Sequence, residues 1–505
     1  MQLHDCISIL DIVENQEKTN KMQLKKIELS KPLDILEKAK FPRPDLIRSP
    51  SYSLDGEWSL CPDRGGLGVL KKWYDPDVAR TILEADHPGG RDVFTITVPF
   101  PLEAEINQRA LAPRGYDPEK IAKTRCFWYF KRFKRPDNLT TGIIRFGAID
   151  HKATVWLNGT FLGVHQGGYT PFSFEVHFTE EDNVLALMVE DSLSMSQVRG
   201  KQTFLKKPFI VWYVGCTGIW QSVWIEPTGD LYIENINAKR HASELLVNIS
   251  IKTRNQTFLS DVSLQITVFN AQVHTKKRPS KKPIASIHEA LNLDAFGKSV
   301  VEIAIPLKTF MSWSPEWPAV HPIELMLKKG KQSLDIIQIL FGHRTIETET
   351  GKIKLNGKKI YQKLLLNQGY YPSGHYTPES PEQFRKDIQL MKDAGFNGCR
   401  MHQKIESPHL LYWADILGFL IWEEMPSYYR PSRRNLKNLE KQFEEVMNRD
   451  SLHPSIVTLV LFNESWGLSW GFYNIFFAKR AREDLAELYS RIKERYPGYL
   501  VIDNS

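Results

Sequence analysis

The chain has 505 residues, 42% of them hydrophobic and 25% charged, with a formal net charge of +7 from 66 Lys+Arg and 59 Asp+Glu. At about 150 residues per domain this length holds roughly three or four domains, and the composition excludes a mainly disordered, collagen-like or low-complexity chain. So small a positive excess demands neither nucleic acid nor an anionic membrane as partner. Cys6, Cys61, Cys126, Cys216 and Cys399 form no CxxC pair, so neither a disulfide framework nor a zinc site is suggested. No segment approaches the roughly 18 uninterrupted apolar residues of a membrane span. Met1 to Asn20 lacks the basic start and small-residue cleavage site of a signal peptide, which makes a cytoplasmic location the expectation.

Residues 1–40 are Lys-rich and read as a leader or surface arm. From Phe41 short apolar runs alternate with Gly, Pro, Asp and Asn, as in Phe94–Val98, Phe127–Phe133, Ile143–Phe146, Thr154–Leu157, Val184–Val189 and Ser222–Ile225. Many short strands with turn signals between them indicate β-sandwiches. Thr154–Leu162 reads as a hairpin whose Asn158-Gly159 supplies the two positive-φ residues of a type I′ turn. Pro227-Thr228-Gly229-Asp230 looks like a boundary, giving one β-sandwich unit over 41–227 and a second, immunoglobulin-like sandwich over 228–343. The basic run Lys276–Lys282 inside the second unit is read as a solvated loop rather than a nuclear signal or anion patch.

From residue 344 strand and helix patterns alternate. The expected strands are Leu364–Asn367, Phe396–Met401, Phe419–Trp422, Ile456–Phe462 and Leu500–Ile502. Between them lie helices opening at a Ser380-Pro381-Glu382-Gln383 capping box, at Ser407-Pro408, at Asn435 and near Tyr473, with Gly395 and Gly418 as C-terminal stops. Repeated βα units imply a parallel sheet, doubly wound or a (β/α)8 barrel. No Gly-rich phosphate loop follows any strand, which counts against nucleotide binding. The strand ends carry Gln368, Arg400, His402, Glu423, Glu424, Asn463, Glu464 and Asp503, among the aromatics Tyr370, Tyr371, Trp422, Trp466 and Trp470. Carboxylates among aromatic rings suit carbohydrate chemistry, since two carboxyl groups cleave a glycosidic bond across an oxocarbenium-like transition state.

The stretch His453-Pro454-Ser455-Ile456-Val457 followed by Asn463-Glu464-Ser465-Trp466 resembles the acid/base strand of glycoside hydrolase family 2, which includes β-galactosidases, β-glucuronidases and β-mannosidases. Further segments resemble the family in its order: Pro42-Arg43-Pro44, Leu54–Trp58, Val155–Gly159, Gly167–Phe172, Thr217–Trp224, Phe341–Glu347 and Gly395–His402. The resemblance implies a jelly roll, an immunoglobulin-like sandwich and a (β/α)8 barrel entered as far as about its fifth strand. It implies a retaining hydrolase of β-glycosides in carbohydrate metabolism, with Glu464 as general acid/base and Asn463 on the sugar 2-hydroxyl. Arg400 and His402 would orient carboxylates and hydroxyls, Glu424 would bind substrate or pair with Arg400, and Trp466 would be a sugar platform or a packing residue. Of Glu423 and Glu424, strand alternation sends one inward and one outward. Trp156, Trp220 and Trp224 read as sandwich core.

The sequence departs from the family in one respect: no residue matches the family's nucleophile, a Glu near the seventh barrel strand. Asp503 reads instead as an end-of-strand hydrogen bonder. A truncated chain is the expectation, with a split enzyme needing a complementing chain, or a non-catalytic carbohydrate-binding remnant, as alternatives. No cofactor or metal is implied by a ligand cluster, a carbohydrate is the expected partner, and a homo-oligomer remains open.

Overall fold

The computed structural model describes residues 22–505 apart from 32, 85–91, 242, 255–260, 274–281, 292–296 and 469–473. Residues 1–21 of the leader with Cys6, nearly all of the basic run Lys276–Lys282, and Trp470 lie outside the described residues.

The first unit packs two antiparallel sheets face to face. A six-stranded sheet runs in the order Thr160–Gln166, Lys152–Leu157, Asp182–Glu190, Cys126–Lys134, Gly56–Pro62, Phe94–Val98. A five-stranded sheet runs Lys25–Ile27, Ser51–Ser53, Val223–Pro227, Thr141–Phe146, Phe172–His177. Strand side chains alternate in direction, so Phe127, Tyr129 and Phe133 enter the core between the sheets while Trp128 and Phe130 face the other way. That outer face is covered too, by Trp73 and the helix Pro76–Glu84. The Asn158-Gly159 turn forms as expected, with φ of 49° and 81° and Leu157 paired with Thr160. Trp156 lies on the covered outer face, and Trp220 belongs to a different core, edge-on to Tyr169 and Tyr376 at the contact with the third unit. Trp224 is buried with its indole N–H on Glu226.

The second unit is also a two-sheet sandwich. Leu231–His241, Glu244–Thr253 and Lys298–Pro306 face a five-stranded sheet of Pro283–Leu291, Val262–Phe269, His321–Lys329, Gln332–Phe341 and, at its edge, Leu46–Arg48. The alternating burial of Glu244–Thr253 is the signature of a strand with one face on a core and one in water. The edge strand Leu46–Arg48 comes from far earlier in the chain. Its Arg48 is buried, holding Asp335 through two bonds of 2.9 Å and Glu226 at 2.7 Å, and so ties both sandwiches together.

The third unit carries a parallel five-stranded sheet of Leu364–Asn367, Gly398–Met401, Leu420–Glu424, Ile456–Phe462 and Leu500–Asn504, in chain order without reversal. Helices Glu382–Asp393, Pro408–Leu417, Arg433–Asp450 and Asn474–Arg495 connect the strands. The fourth strand is buried along its whole length, as its apolar run requires. Gly418 ends its helix at φ 71°, where a Cβ would sit 2.2 Å from the Pro315 carbonyl oxygen. The Ser380 capping box does not form. The first helix starts with Pro381 at the N-cap and no side-chain cap, and Gln383 donates to Asp387 instead.

The expected family motifs that lie away from the strand tips have structural causes. Arg43 donates to the Arg449 carbonyl at 2.9 Å, fastening the early chain to the third helix. Arg344 donates to the Pro454, Ile456 and Gly498 carbonyls, bracing the start of the fourth and fifth strands. Among the described residues no carboxylate bonds to it, and burial pushes its guanidinium down to about 9. His453 is buried between Asp415, 2.5 Å from Nδ1, and Asp45, 3.8 Å from Nε2, and Asp415 also accepts the Ser455 N–H. Burial opposes the charge on His453, but Asp415 and Asp45 outweigh it and raise its pKa above 6.5. A raised folded-state value means that the ion pair contributes fully below pH 6.5 and fades as pH rises through that value. Urea midpoints are therefore expected to fall between pH 6 and pH 9, and His453→Gln should flatten that slope. An unchanged slope in the variant would count against this assignment.

Candidate active site

The carboxyl ends of the parallel strands gather most of the polar residues expected there. Arg400, on the second strand, is the hub. Its Nε donates to Glu424 Oε2 at 2.6 Å and its Nη2 to Asn463 Oδ1 at 2.6 Å. The same Nη2 lies 3.2 Å from His402 Nδ1. That Nδ1 also lies 3.1 Å from Glu424 Oε1, so the imidazole sits between the guanidinium and the carboxylate. Glu424 is fully buried, and besides Arg400 it accepts the Gln403 N–H at 2.9 Å and the Ser505 hydroxyl at 3.2 Å. Of the two expected roles for Glu424, the structure thus places it on Arg400.

The neighbouring Glu423 points the other way, as strand alternation requires. It is buried behind the sheet against Asp450 and Arg449. Burial pushes its carboxyl well above the usual range, the Asp450 charge adds to that push, and Arg449 opposes it. Asp503 is exposed and accepts its neighbour's N–H, from Asn504, at 2.8 Å. Tyr370 and Tyr371 do not line the rim. Tyr370 donates to the Val214 carbonyl and packs on Tyr213 and Tyr376, and Tyr371 packs on Phe384. Trp422 donates to Gln362.

Glu464 follows Asn463 at the tip of the buried fourth strand. It is exposed on the rim rather than enclosed in a hollow. Glu464 and Ser465 have φ of 48° and 59°, two consecutive non-glycine residues in the left-handed region. Such conformations cost about 1–3 kcal/mol each and gather at functional sites. Here the Glu464 N–H is held by the Ser505 carbonyl and the Ser465 N–H by Asn504 Oδ1. Trp466 Nε1 donates to Glu464 Oε2 at 3.1 Å. Trp466 itself is half-buried, edge-on to Trp212 at 5.2 Å and Tyr429 at 5.8 Å. Asn463 is buried, and its Nδ2 has no hydrogen-bond partner among the described residues.

Several residues at the site were not anticipated. An arm of the first sandwich, from Arg199 to Trp212, lies across the strand ends. Arg199 and Gly200 donate backbone N–H groups to the Ser427 carbonyl, and Tyr429 Oη donates to the Gly200 carbonyl. Gly200 is required there, because at φ 60° a Cβ would come within 2.1 Å of the Gln403 carbonyl oxygen. This close approach delivers Lys201, buried, toward the carboxylates. Burial lowers its ammonium pKa, while Glu464 and Glu424 act to raise it. Within the sequence the one hint was the glycine in Arg199-Gly200-Lys201-Gln202, and nothing local reveals which distant strand it touches. Among the described residues no group of three or more His, Cys, Asp or Glu could hold a metal ion, and no helix is long and apolar enough to cross a membrane.

Residues 52–225 match the family profile described as "Glycosyl hydrolases family 2, sugar binding domain". A β-galactosidase of Thermoanaerobacter pseudethanolicus is 25% identical over 343 residues, covering 65% of this chain and 43% of that protein. A putative β-glucuronidase of Formosa agariphila is 25% identical over 355 residues, covering 68% and 40%. The chain spans about half the length of the curated relatives it matches. Among solved structures, a Bacteroides uniformis β-glucuronidase superposes with a TM-score of 0.70 at 20% identity, covering 89% of this chain and 52% of that one. A β-galacturonidase from Eisenbergiella tayi gives 0.65 at 20% identity, covering 90% and 71%. Residues 52–225 thus carry the sugar-binding-domain pattern of glycoside hydrolase family 2, and the relatives that extend the likeness beyond it are named as β-galactosidases and β-glucuronidases.

Proposed function

We propose that the chain serves hydrolysis of O-linked β-glycosides, with its two sandwiches read as jelly-roll and immunoglobulin-like units and its parallel sheet as part of a (β/α)8 barrel. Glu464 is the general acid/base. It protonates the leaving oxygen and then takes a proton from water. The observation that carries this reading is the Arg400–Asn463–Glu464 array: Arg400 fixes the Asn463 amide by its oxygen, leaving Nδ2 free to donate to a sugar hydroxyl beside the acid. Lys201 and His402 complete the polar lining.

A retaining mechanism needs a second carboxylate about 5–5.5 Å from the first. Glu424 is committed to Arg400, Glu423 lies behind the sheet and Asp503 faces outward. In this reading the nucleophile is a residue other than these three, on this or a complementing polypeptide. The exposed setting of Glu464 on the rim favours a second reading, a carbohydrate-binding protein without turnover. Nitrophenyl β-glycosides decide between them. In the enzyme, Glu464→Gln should lower turnover by about 10²–10⁴-fold, the typical worth of a general acid. Unchanged turnover in that variant would remove Glu464 from the chemistry, and glycoside binding with no turnover in the parent would select the second reading.

A further inference from the structure

The arm that crosses the strand ends has a tip that its fold does not explain. Phe209 and Trp212 exchange backbone hydrogen bonds at 3.0 and 2.9 Å, closing a two-residue turn over Ile210 and Val211. Ile210 stands at φ 50°, a region that a β-branched residue occupies only under strain. It is nevertheless 79% exposed, Phe209 is 48% exposed, and Leu205 and Val211 are exposed beside them. Contiguous exposed apolar side chains of this kind mark interaction sites.

The patch is continuous with the candidate active site. Phe209 stacks on Trp212 with an interplanar angle of 8°, Trp212 meets Trp466 edge-on, and Trp466 donates to Glu464. A general acid delivers its proton to the leaving-group oxygen, so the leaving group lies on the Glu464 side of the sugar. The surface there runs from Trp466 to Phe209 and Ile210. From Leu205 to Val211 its side chains offer no amide, hydroxyl or carboxylate to a sugar, only Lys206 and Lys207 among apolar groups. An aromatic ring finds stacking partners on such a surface. A phenol is also an easier leaving group than a sugar alcohol, which suits an acid placed on an open rim.

We propose that the Leu205–Trp212 tip is the leaving-group platform of this site and that it selects β-glycosides of phenols over those with alkyl or sugar leaving groups. This rests on the reading of Glu464 as the acid. The test is equilibrium binding of phenyl and methyl β-D-galactosides and β-D-glucuronides, followed by isothermal titration calorimetry with the full chain. Phenyl glycosides should bind at least tenfold more tightly than their methyl counterparts. Phe209→Ala/Ile210→Ser should cut that advantage below threefold while leaving methyl glycoside affinity unchanged. Ile210→Gly, which shortens the apolar tip and relieves the positive φ, should act in the same direction and serves if the double variant misfolds. Equal affinities in the parent, or an advantage that survives both variants, overturn the platform while the glycosidase reading stands. A concentration-dependent dimer that dissociates in the variants, with ligand preference unchanged, assigns the patch to a second copy and also overturns it. Failure of phenyl and methyl glycosides alike to bind overturns both readings together.

Discussion

Arg400→Met should destabilise the protein by about 3–5 kcal/mol, the usual result of stripping the partner from a buried charge. Glu424 is fully buried and would keep the Gln403 N–H, the Ser505 hydroxyl and His402, whose Nδ1 is 3.1 Å from Oε1, but no permanent cation. The same change releases the Asn463 amide, whose oxygen is held at 2.6 Å by Arg400. Arg400→Lys separates the two effects. An ammonium keeps the charge beside Glu424 but lacks the planar fork that reaches Glu424 and Asn463 together. It should recover most of the stability and little of the glycoside binding. Urea unfolding and methyl glycoside titration of both variants give the comparison, and a methionine variant within 1 kcal/mol of the parent would refute the assignment of Arg400 as the hub.

The second large effect lies far from the site. Arg48→Met should also cost about 3–5 kcal/mol, through Asp335. Glu226 retains Arg145 at 2.8 Å and the Trp224 indole, whereas Asp335 would be left with the Ile233 N–H alone. An apolar replacement of both partners is often neutral where loss of one is not. Arg48→Met/Asp335→Leu should therefore regain a large part of the loss, and a double variant as unstable as the single one would show that the damage comes from packing. The first unfolding transition is the quantity to follow, since Arg48 joins two sandwiches and a multidomain chain need not unfold in one step.

Much of the architecture was readable because it rests on local rules. The alternation in Glu244–Thr253, the Asn158-Gly159 turn and the Gly418 stop each follow from the conformations of a few neighbouring residues. The capping box at Ser380 failed for a related reason: Pro381 took the N-cap position itself, and Gln383 found Asp387 one turn ahead. Positions along the chain also put Arg400, His402, Glu424, Asn463 and Glu464 at strand ends, since a parallel βα repeat brings successive carboxyl ends to one side.

The residue types and their order thus determined a β-rich chain of several units ending in parallel βα repeats, and which side chains would meet at one edge of that sheet. Only the tertiary structure decided that Glu424 serves Arg400, that Glu423 turns away to Asp450, and that Gly200, Lys201 and Trp212 arrive from another unit. Periodicity encodes which face of an element is apolar, and that information is local. Which distant surface covers that face depends on shape and burial summed over both partners, and no window of the sequence contains both.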